Sequence, residues 1–356
     1  MRGGISKRGK RYYAYVSING RKKWVKGSGS DTKKKAETKL NQAVAEIENG
    51  TYCEIKKIRF KDFAKEWVET YAKMKTKPST LRSYQDTIKK QLVPRFGDYF
   101  LHQVSATMMQ RFVTERLATG VKGKTVRNDV VVLKLIYKRA FKNGYIRVNP
   151  AEYIDLPRIE TTEVEILSPE EVRLFLTIVT AKHRVFFLTA ILTGMRRGEL
   201  LALQKDDIDW KNKQICVRRS VWHGQFITPK TKYSVRRIDV SPYLLAELRK
   251  HVLASPPNDL GLVFSNEHGG IMDADTLIKR HFVPVFEKAK IKRVRFHDLR
   301  HTNASLRIAE GQDPKYIQDQ MGHASIQTTF DRYGHLLRKA NPDQAKKLDD
   351  ILGFDR

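Results

Sequence analysis

The sequence predicts an α+β multidomain protein. A small N-terminal sheet-plus-helix domain leads into an all-α domain, followed by a mainly α domain with a small antiparallel sheet. Three observations predict it. Aromatic and β-branched residues flank Asn19-Gly20, the strongest short hairpin signal, near the N-terminus. Apolar residues at helical spacing then fill residues 57–157. Beyond the breaks Asn149-Pro150 and Leu156-Pro157, helical patterns run with two short strand patterns.

In residues 1–56, Tyr12 to Ile18 reads as a strand and Arg21 to Lys26 as its return. Asp31 can cap a helix carrying Ala36, Leu40, Val44 and Ile47, which Asn49-Gly50 ends. In residues 57–157, Phe60, Phe63, Trp67 and Tyr71 share one helix face and read as core. Pro78-Ser79-Thr80 opens a second helix through Leu81, Tyr84 and Ile88, and Phe112 and Leu117 belong to a third. A fourth, from about Thr125 to Phe141, turns Val130, Leu133, Tyr137 and Ala140 inward. Residues 158–340 start with a capping box, in which Ser168 caps, Pro169 takes the first turn and Glu171 reaches back. Helices are expected around Phe187–Leu192, Arg197–Leu203, Ala274–Ala289, Asp298–Glu310, Pro314–Met321 and Ser325–Tyr333, with strands at Gln214–Val221 and Arg236–Val240. Residues 341–356 form a tail with Leu348, Ile351 and Leu352 at helical spacing.

The chain has 356 residues, room for two or three domains, and no apolar run approaching the ~18 residues of a membrane span. Met1 to Lys10 is basic with no apolar stretch behind it, so a cytoplasmic protein is expected. Cys53 and Cys216 have neither zinc-ligand nor disulfide-framework spacing, and free thiols and no metal are expected. With 68 Lys and Arg against 39 Asp and Glu, the formal net charge is +29. An excess that large costs self-repulsion and implies a polyanionic partner. Nucleic acid fits better than an anionic membrane, because no long basic amphipathic helix with an aromatic face is present. Lys10, Arg11, Arg21, Lys22, Lys23 and Lys26 crowd the hairpin, and such a sheet fits a DNA groove, with a merely solvated basic surface as the alternative.

Four local patterns carry chemistry. They are Thr193-Gly194-Met195-Arg196-Arg197-Gly198-Glu199-Leu200; Pro229-Lys230-Thr231-Lys232 leading into Arg236-Arg237-Ile238; His297-Asp298-Leu299-Arg300-His301-Thr302; and Gly322-His323 with Tyr333 ten residues beyond His323. Each alone is weak, since an arginine in a basic protein is usually a surface group and a histidine usually structural. Together they answer one problem, cutting a phosphodiester without a metal. Two arginines can grip the non-bridging oxygens through planar, permanently charged forks. A tyrosine, with a pKa of about 10, can attack once a histidine takes its proton. A lysine can protonate the departing 5′ oxygen.

On these motifs the chain resembles the tyrosine recombinases, and among them the phage and transposon integrases. The resemblance implies that Arg196 and Arg300 bind the scissile phosphate and that Lys230 is the general acid, with Lys232 its competitor. It implies His297 as base or proton shuttle, His323 as a phosphate hydrogen-bond donor, and Tyr333 as the nucleophile that forms a 3′-phosphotyrosine and frees a 5′ hydroxyl. Glu199 becomes a helper behind Arg196, and His301 a structural residue. No cofactor and no ATP are implied, because the ester conserves the bond energy.

Pro78-Ser79-Thr80, Ser83-Tyr84, Phe96-Gly97 and Asn149-Pro150-Ala151 resemble the helical core-binding domain of the same enzymes. Residues 1–56 resemble their arm-binding domain, and the tail resembles the segment donated to a neighbouring protomer. The implied partners are double-stranded DNA with core and arm-type sites, a homotetramer on synapsed DNA, a host bending factor and an excision factor, in a bacterial nucleoid. A type IB topoisomerase and a non-catalytic architectural DNA-binding protein are the rival readings.

Overall fold

The computed structural model describes residues 3–18, 21–25, 27–48, 57–159, 165–227, 235–323 and 325–327. It is mostly helical with small antiparallel sheets, and it divides into two units, residues 1–161 and 162–356. Among the described residues no helix is long and apolar enough to cross a membrane.

The first unit begins with a three-stranded antiparallel sheet, β1 (Gly3–Arg8), β2 (Arg11–Ile18) and β3 (Arg21–Trp24), in that order. Ile18 stands opposite Arg21, as the hairpin reading requires; Asn19-Gly20 itself lies outside the described residues. Strand β1 goes beyond the sequence expectation, because glycines are poor strand formers. Its place is set by close packing: a Cβ on Gly3 would stand 2.8 Å from a Leu40 methyl and 3.0 Å from the Tyr15 carbonyl oxygen. Helix α1 (Lys33–Glu48) lies against β2, with Ala36 and Ala43 buried on one side and Ala14 and Val16 on the other. Asp31, the expected cap, instead pairs with Arg11 at 3.6 Å.

The rest of this unit is helical. α2 (Phe60–Trp67) and α3 (Lys73–Lys75) are joined by a wide π turn, Val68–Ala72, and α4 (Pro78–Thr87) and α5 (Val93–Phe96) by another, Ile88–Leu92. α6 (Ala106–Ala118) and α7 (Gly123–Lys142) follow. The predicted stripe is the core. Phe60 meets Phe96 edge-on at 5.9 Å and stacks on Tyr137 at 6.0 Å, and Val130, Leu133 and Ala140 are buried beside them. Phe112 and Leu117 both lie on α6, as expected, with Phe112 buried and Leu117 on the outer side at 38% exposed.

The second unit contains α8 (Pro169–Ile178), α9 (Ala181–Thr193) and α10 (Arg197–Leu201), then strands β4 (Ile208–Asp209), β5 (Gln214–Val217), β6 (Ser220–Trp222), β7 (Gln225–Ile227) and β8 (Arg236–Asp239). α11 (Pro242–Ala254), α12 (Ala274–Leu277), a π turn at Ile278–Phe282, α13 (Val283–Ala289), α14 (Asp298–Ala309) and α15 (Pro314–Met321) complete it. The capping box is present: the Glu171 amide donates to Ser168 Oγ at 3.2 Å and the Ser168 amide to Glu171 Oε2 at 2.8 Å.

The predicted strand Gln214–Val221 is broken. β5 pairs with β4 and β8, whereas β6 turns away to pair with β7. The break falls at Arg218-Arg219, which turn to the buried Asp207 carboxylate at 3.8 and 3.3 Å. A carboxylate out of water needs such partners, and supplying them overrides strand regularity. α11 also goes beyond the expected elements, although Ser241 caps it and Leu244 and Leu248 supply the i, i+4 buried pair. Cys216 on β5 is a free thiol, and Cys53 lies outside the described residues.

Candidate active site

The site is built where α9 ends. Gly194 terminates that helix in the left-handed region at φ 62°, a conformation glycine adopts without strain. A side chain is excluded there in any case, since a Cβ would come 2.7 Å from Met321 Cε and 3.2 Å from Asn303 Oδ1. Asn303 in turn donates to the carbonyls of Ile191 and Leu192 at 2.8 and 2.9 Å, tying α14 to the last turn of α9.

Two residues later, Arg196 occupies the N-cap position of α10. Glu199 closes the turn by accepting from the Arg196 amide at 2.9 Å and from its guanidinium at 2.7 Å. Glu199 is 3% exposed, whereas 37% of the Arg196 side chain is open to the outside. Burial alone would raise the Glu199 pKa. Arg236 first, and Arg196 second, outweigh it and hold the carboxyl below the usual glutamate range.

Arg300 lies in the first turn of α14 and is buried. Its guanidinium donates to the carbonyl of Gly194 at 2.7 Å and to that of Met321. Arg196 donates to the next carbonyl, Gly322, at 3.3 Å. Two arginines 104 positions apart in the chain therefore reach consecutive carbonyls of one turn. That turn follows α15, capped by Gly322 in the left-handed region, and delivers His323. The His323 amide donates to the Gln318 carbonyl at 3.1 Å, and the Gln318 side-chain amide returns to the His323 carbonyl at 3.1 Å.

His297 precedes α14 and is exposed, its ring edge-on to that of the buried His301 at 5.2 Å. The turn before it is locked by Arg295, whose amide and guanidinium both donate to the buried Asp298 carboxylate at 2.8–2.9 Å. Of the expected set, Arg196, Arg300 and His323 are brought together and His297 stands one helical turn from Arg300. Lys230, Lys232 and Tyr333 lie outside the described residues. Sequence reasoning assigned no role to Arg236. The available signal was alternation: Arg236 shares a strand face with the buried Ile238, while Arg237 faces out.

On the N-terminal sheet, Lys10, Arg11, Arg21, Lys22 and Lys23 are exposed, and Lys26 lies outside the described residues. Alternation divides them. Lys22 sits over the rings of Tyr15 and Trp24 at 3.6 and 4.8 Å, joined by Arg8 over Trp24 at 4.2 Å. Lys23 stands opposite Val16, whose side chain faces α1. Arg8, absent from the sequence-based set, thus belongs to the aromatic face.

Two family models match the chain: Phage integrase family over residues 165–339, and Phage integrase, N-terminal SAM-like domain, over 59–117. The ICEBs1 integrase of Bacillus subtilis is 31% identical over 295 residues, covering 78% of this chain and 79% of that protein. A tyrosine recombinase XerC-like protein of Caldanaerobacter subterraneus is 27% identical and covers 97% of this chain and 98% of its own length. In fold, the chain is similar to the Tn1549 transposon integrase in complex with a circular intermediate DNA, with TM-score 0.71, 22% identity, and 82% and 99% of the two chains covered. It is also similar to a lambda integrase tetramer bound to a Holliday junction, with TM-score 0.62, 17% identity, and 90% and 95% covered.

The chain belongs to the phage integrase family and is a tyrosine-type site-specific DNA recombinase of the phage and mobile-element integrase kind. Neither a topoisomerase nor a non-catalytic binding protein is favoured by these relatives.

Proposed function

We propose that the chain cleaves and rejoins double-stranded DNA at attachment sites through the tyrosine mechanism, with Arg196 and Arg300 gripping the scissile phosphate. The observation that carries the reading is the convergence of both guanidiniums on the Met321–Gly322 turn, beside His323. Preorganised cations aimed at a developing phosphorane supply the largest part of such catalysis. In this reading Tyr333 Oη attacks phosphorus and gives its proton to His297. The P–O5′ bond breaks, Lys230 protonates the leaving oxygen, and His323 donates to a non-bridging oxygen. The 5′ hydroxyl of a partner strand reverses the step and completes exchange.

Residues 1–56 serve as the arm-type DNA-binding domain, 57–157 as the core-binding domain and 158–340 as the catalytic domain, while the tail 341–356 docks on a neighbouring protomer. The similarity to integrases solved with a circular intermediate DNA and as a tetramer on a Holliday junction supports a homotetramer on synapsed DNA. A host bending factor and an excision factor complete the assembly on the bacterial nucleoid. On the N-terminal sheet, Arg8 and Lys22 above Tyr15 and Trp24 form the aromatic-cationic face that meets DNA, with Lys10, Arg11 and Lys26 on the surrounding phosphates and Arg21 and Lys23, on the α1 side of β3, adding to the attraction.

The test is covalent trapping on a nicked suicide duplex carrying the element's own junction. The parent is expected to form a 3′ adduct that survives denaturing gels, and Tyr333→Phe none. An adduct of undiminished yield with Tyr333→Phe, or binding without any adduct by the parent, refutes the assignment.

A further inference from the structure

We infer that Arg236 is a positioning residue for the recombination reaction: it shares the Glu199 carboxylate with Arg196 and so keeps the Arg196 guanidinium aimed outward. The inference rests on the proposed phosphate grip by Arg196.

Arg236 opens β8, and only 6% of its side chain is exposed. An arginine so far from water is tolerated only where its donors are met. Its Nη2 donates to Glu199 Oε2 at 3.1 Å and its Nε to the Gln320 carbonyl at 2.8 Å. Glu199 Oε1 takes the Arg196 guanidinium at 2.7 Å, and Arg196 continues to the Gly322 carbonyl at 3.3 Å. The contacts therefore close a ring, from Gln320 through Arg236, Glu199 and Arg196 to Gly322, two residues from where it began. β8 is stitched to α15 a second time, by the Asp239 amide to Gln320 Oε1 at 2.9 Å and by Tyr316 Oη to Asp239 Oδ2 at 2.9 Å.

The charge count explains why a second arginine is needed. One carboxylate facing one guanidinium makes a neutral pair, and the carboxylate competes with any phosphate for the fork. One carboxylate between two guanidiniums leaves a net positive site. With Oε2 engaged by Arg236 and by the Arg196 amide, Arg196 meets Glu199 through Oε1. Without Arg236, the full buried negative charge falls on Arg196 and draws it inward, away from DNA. Preorganisation of this kind moves the chemical step more than the binding of a long duplex, whose affinity comes from many phosphate contacts.

The experiment uses the full chain on the suicide duplex and measures the single-turnover rate of adduct formation at saturating protein, with DNA affinity measured separately. Arg236→Gln is expected to slow adduct formation about 100-fold with affinity changed only a few-fold. Glu199→Gln/Arg236→Gln, which also removes the competing charge, is expected to be faster than Arg236→Gln alone. A parental rate for Arg236→Gln, or a double variant no faster than the single, overturns the inference. If Arg236→Gln does not fold, Glu199→Gln is compared with the double variant. Rates within a few-fold support action through Glu199, and a further loss of about 100-fold refutes it. Arg196→Lys separates the two readings. If it cleaves like the parent, the phosphate grip itself fails. If it is slow while Arg236→Gln is fast, only the positioning role fails.

Discussion

The N-terminal sheet and the recombinase site both display cations, but they hold them differently. On the sheet, the charged heads of the exposed Lys22 and Arg8 lie over the rings of Tyr15 and Trp24. At the site, Arg300 and Arg236 are buried, and their guanidiniums reach carbonyl and carboxylate oxygens. An exposed cation is screened by salt and can be replaced by its neighbours. A buried one is fixed in place, and its geometry is its function. The difference teaches that the described cations of this +29 chain fall into two kinds, exposed ones that contribute charge and buried ones held in a fixed geometry.

The strongest way to break this comparison is Arg300→Lys. It keeps the charge but cannot reach Gly194 and Met321 together while presenting a fork. The rate of adduct formation is expected to fall by roughly 10²–10³. A loss below about tenfold in single-turnover cleavage, with folding intact, would show that charge without geometry suffices.

His183 sharpens the comparison from the other side, because it is a titratable group held out of water without a carboxylate among the groups that shift it. It is 8% exposed, stacked on His281 at a ring separation of 4.0 Å, and shares a 3.1 Å hydrogen bond with Thr180 Oγ1. Burial first, then His281 and Lys182, push its pKa down to about 4. The folded state keeps it neutral while the unfolded chain takes up a proton near the ordinary value of about 6.5. Its contribution is therefore complete above a pH of about 6.5 and is lost as pH falls from there toward about 4, up to roughly 3 kcal/mol in all. Urea midpoints across that window should fall more steeply for the parent than for His183→Gln. Parallel curves would contradict the assignment.

The smallest effect is expected at the sheet. Arg8→Ala/Lys22→Ala should weaken DNA binding several-fold and reduce the slope of log K against log salt by about one for each phosphate no longer neutralised. Cleavage of a core-only suicide duplex should be unchanged. A variant that loses core cleavage as Arg300→Lys does would erase the distinction between the two kinds.

Much of this was legible in the chain because it is local. Helical spacing of Val130, Leu133, Tyr137 and Ala140 gave α7, and Ser168 with Glu171 gave the start of α8. Motif order gave the arginines and histidines. The misses share a different cause. β1 is made by its register against β2 and the close approach of Leu40, neither visible in Gly3-Gly4. The break after β5 is made by Asp207, near in sequence but silent until buried.

The sequence by itself determined the periodic elements, the charge excess and the candidate chemistry, since spacing and residue type act over one or two turns. Tertiary structure decided which of Arg196, Arg197, Arg236 and Arg237 is buried and against what. Burial, hydrogen-bond closure and the sharing of one carboxylate by two guanidiniums depend on residues 37 positions apart meeting in space, and no local pattern encodes that meeting.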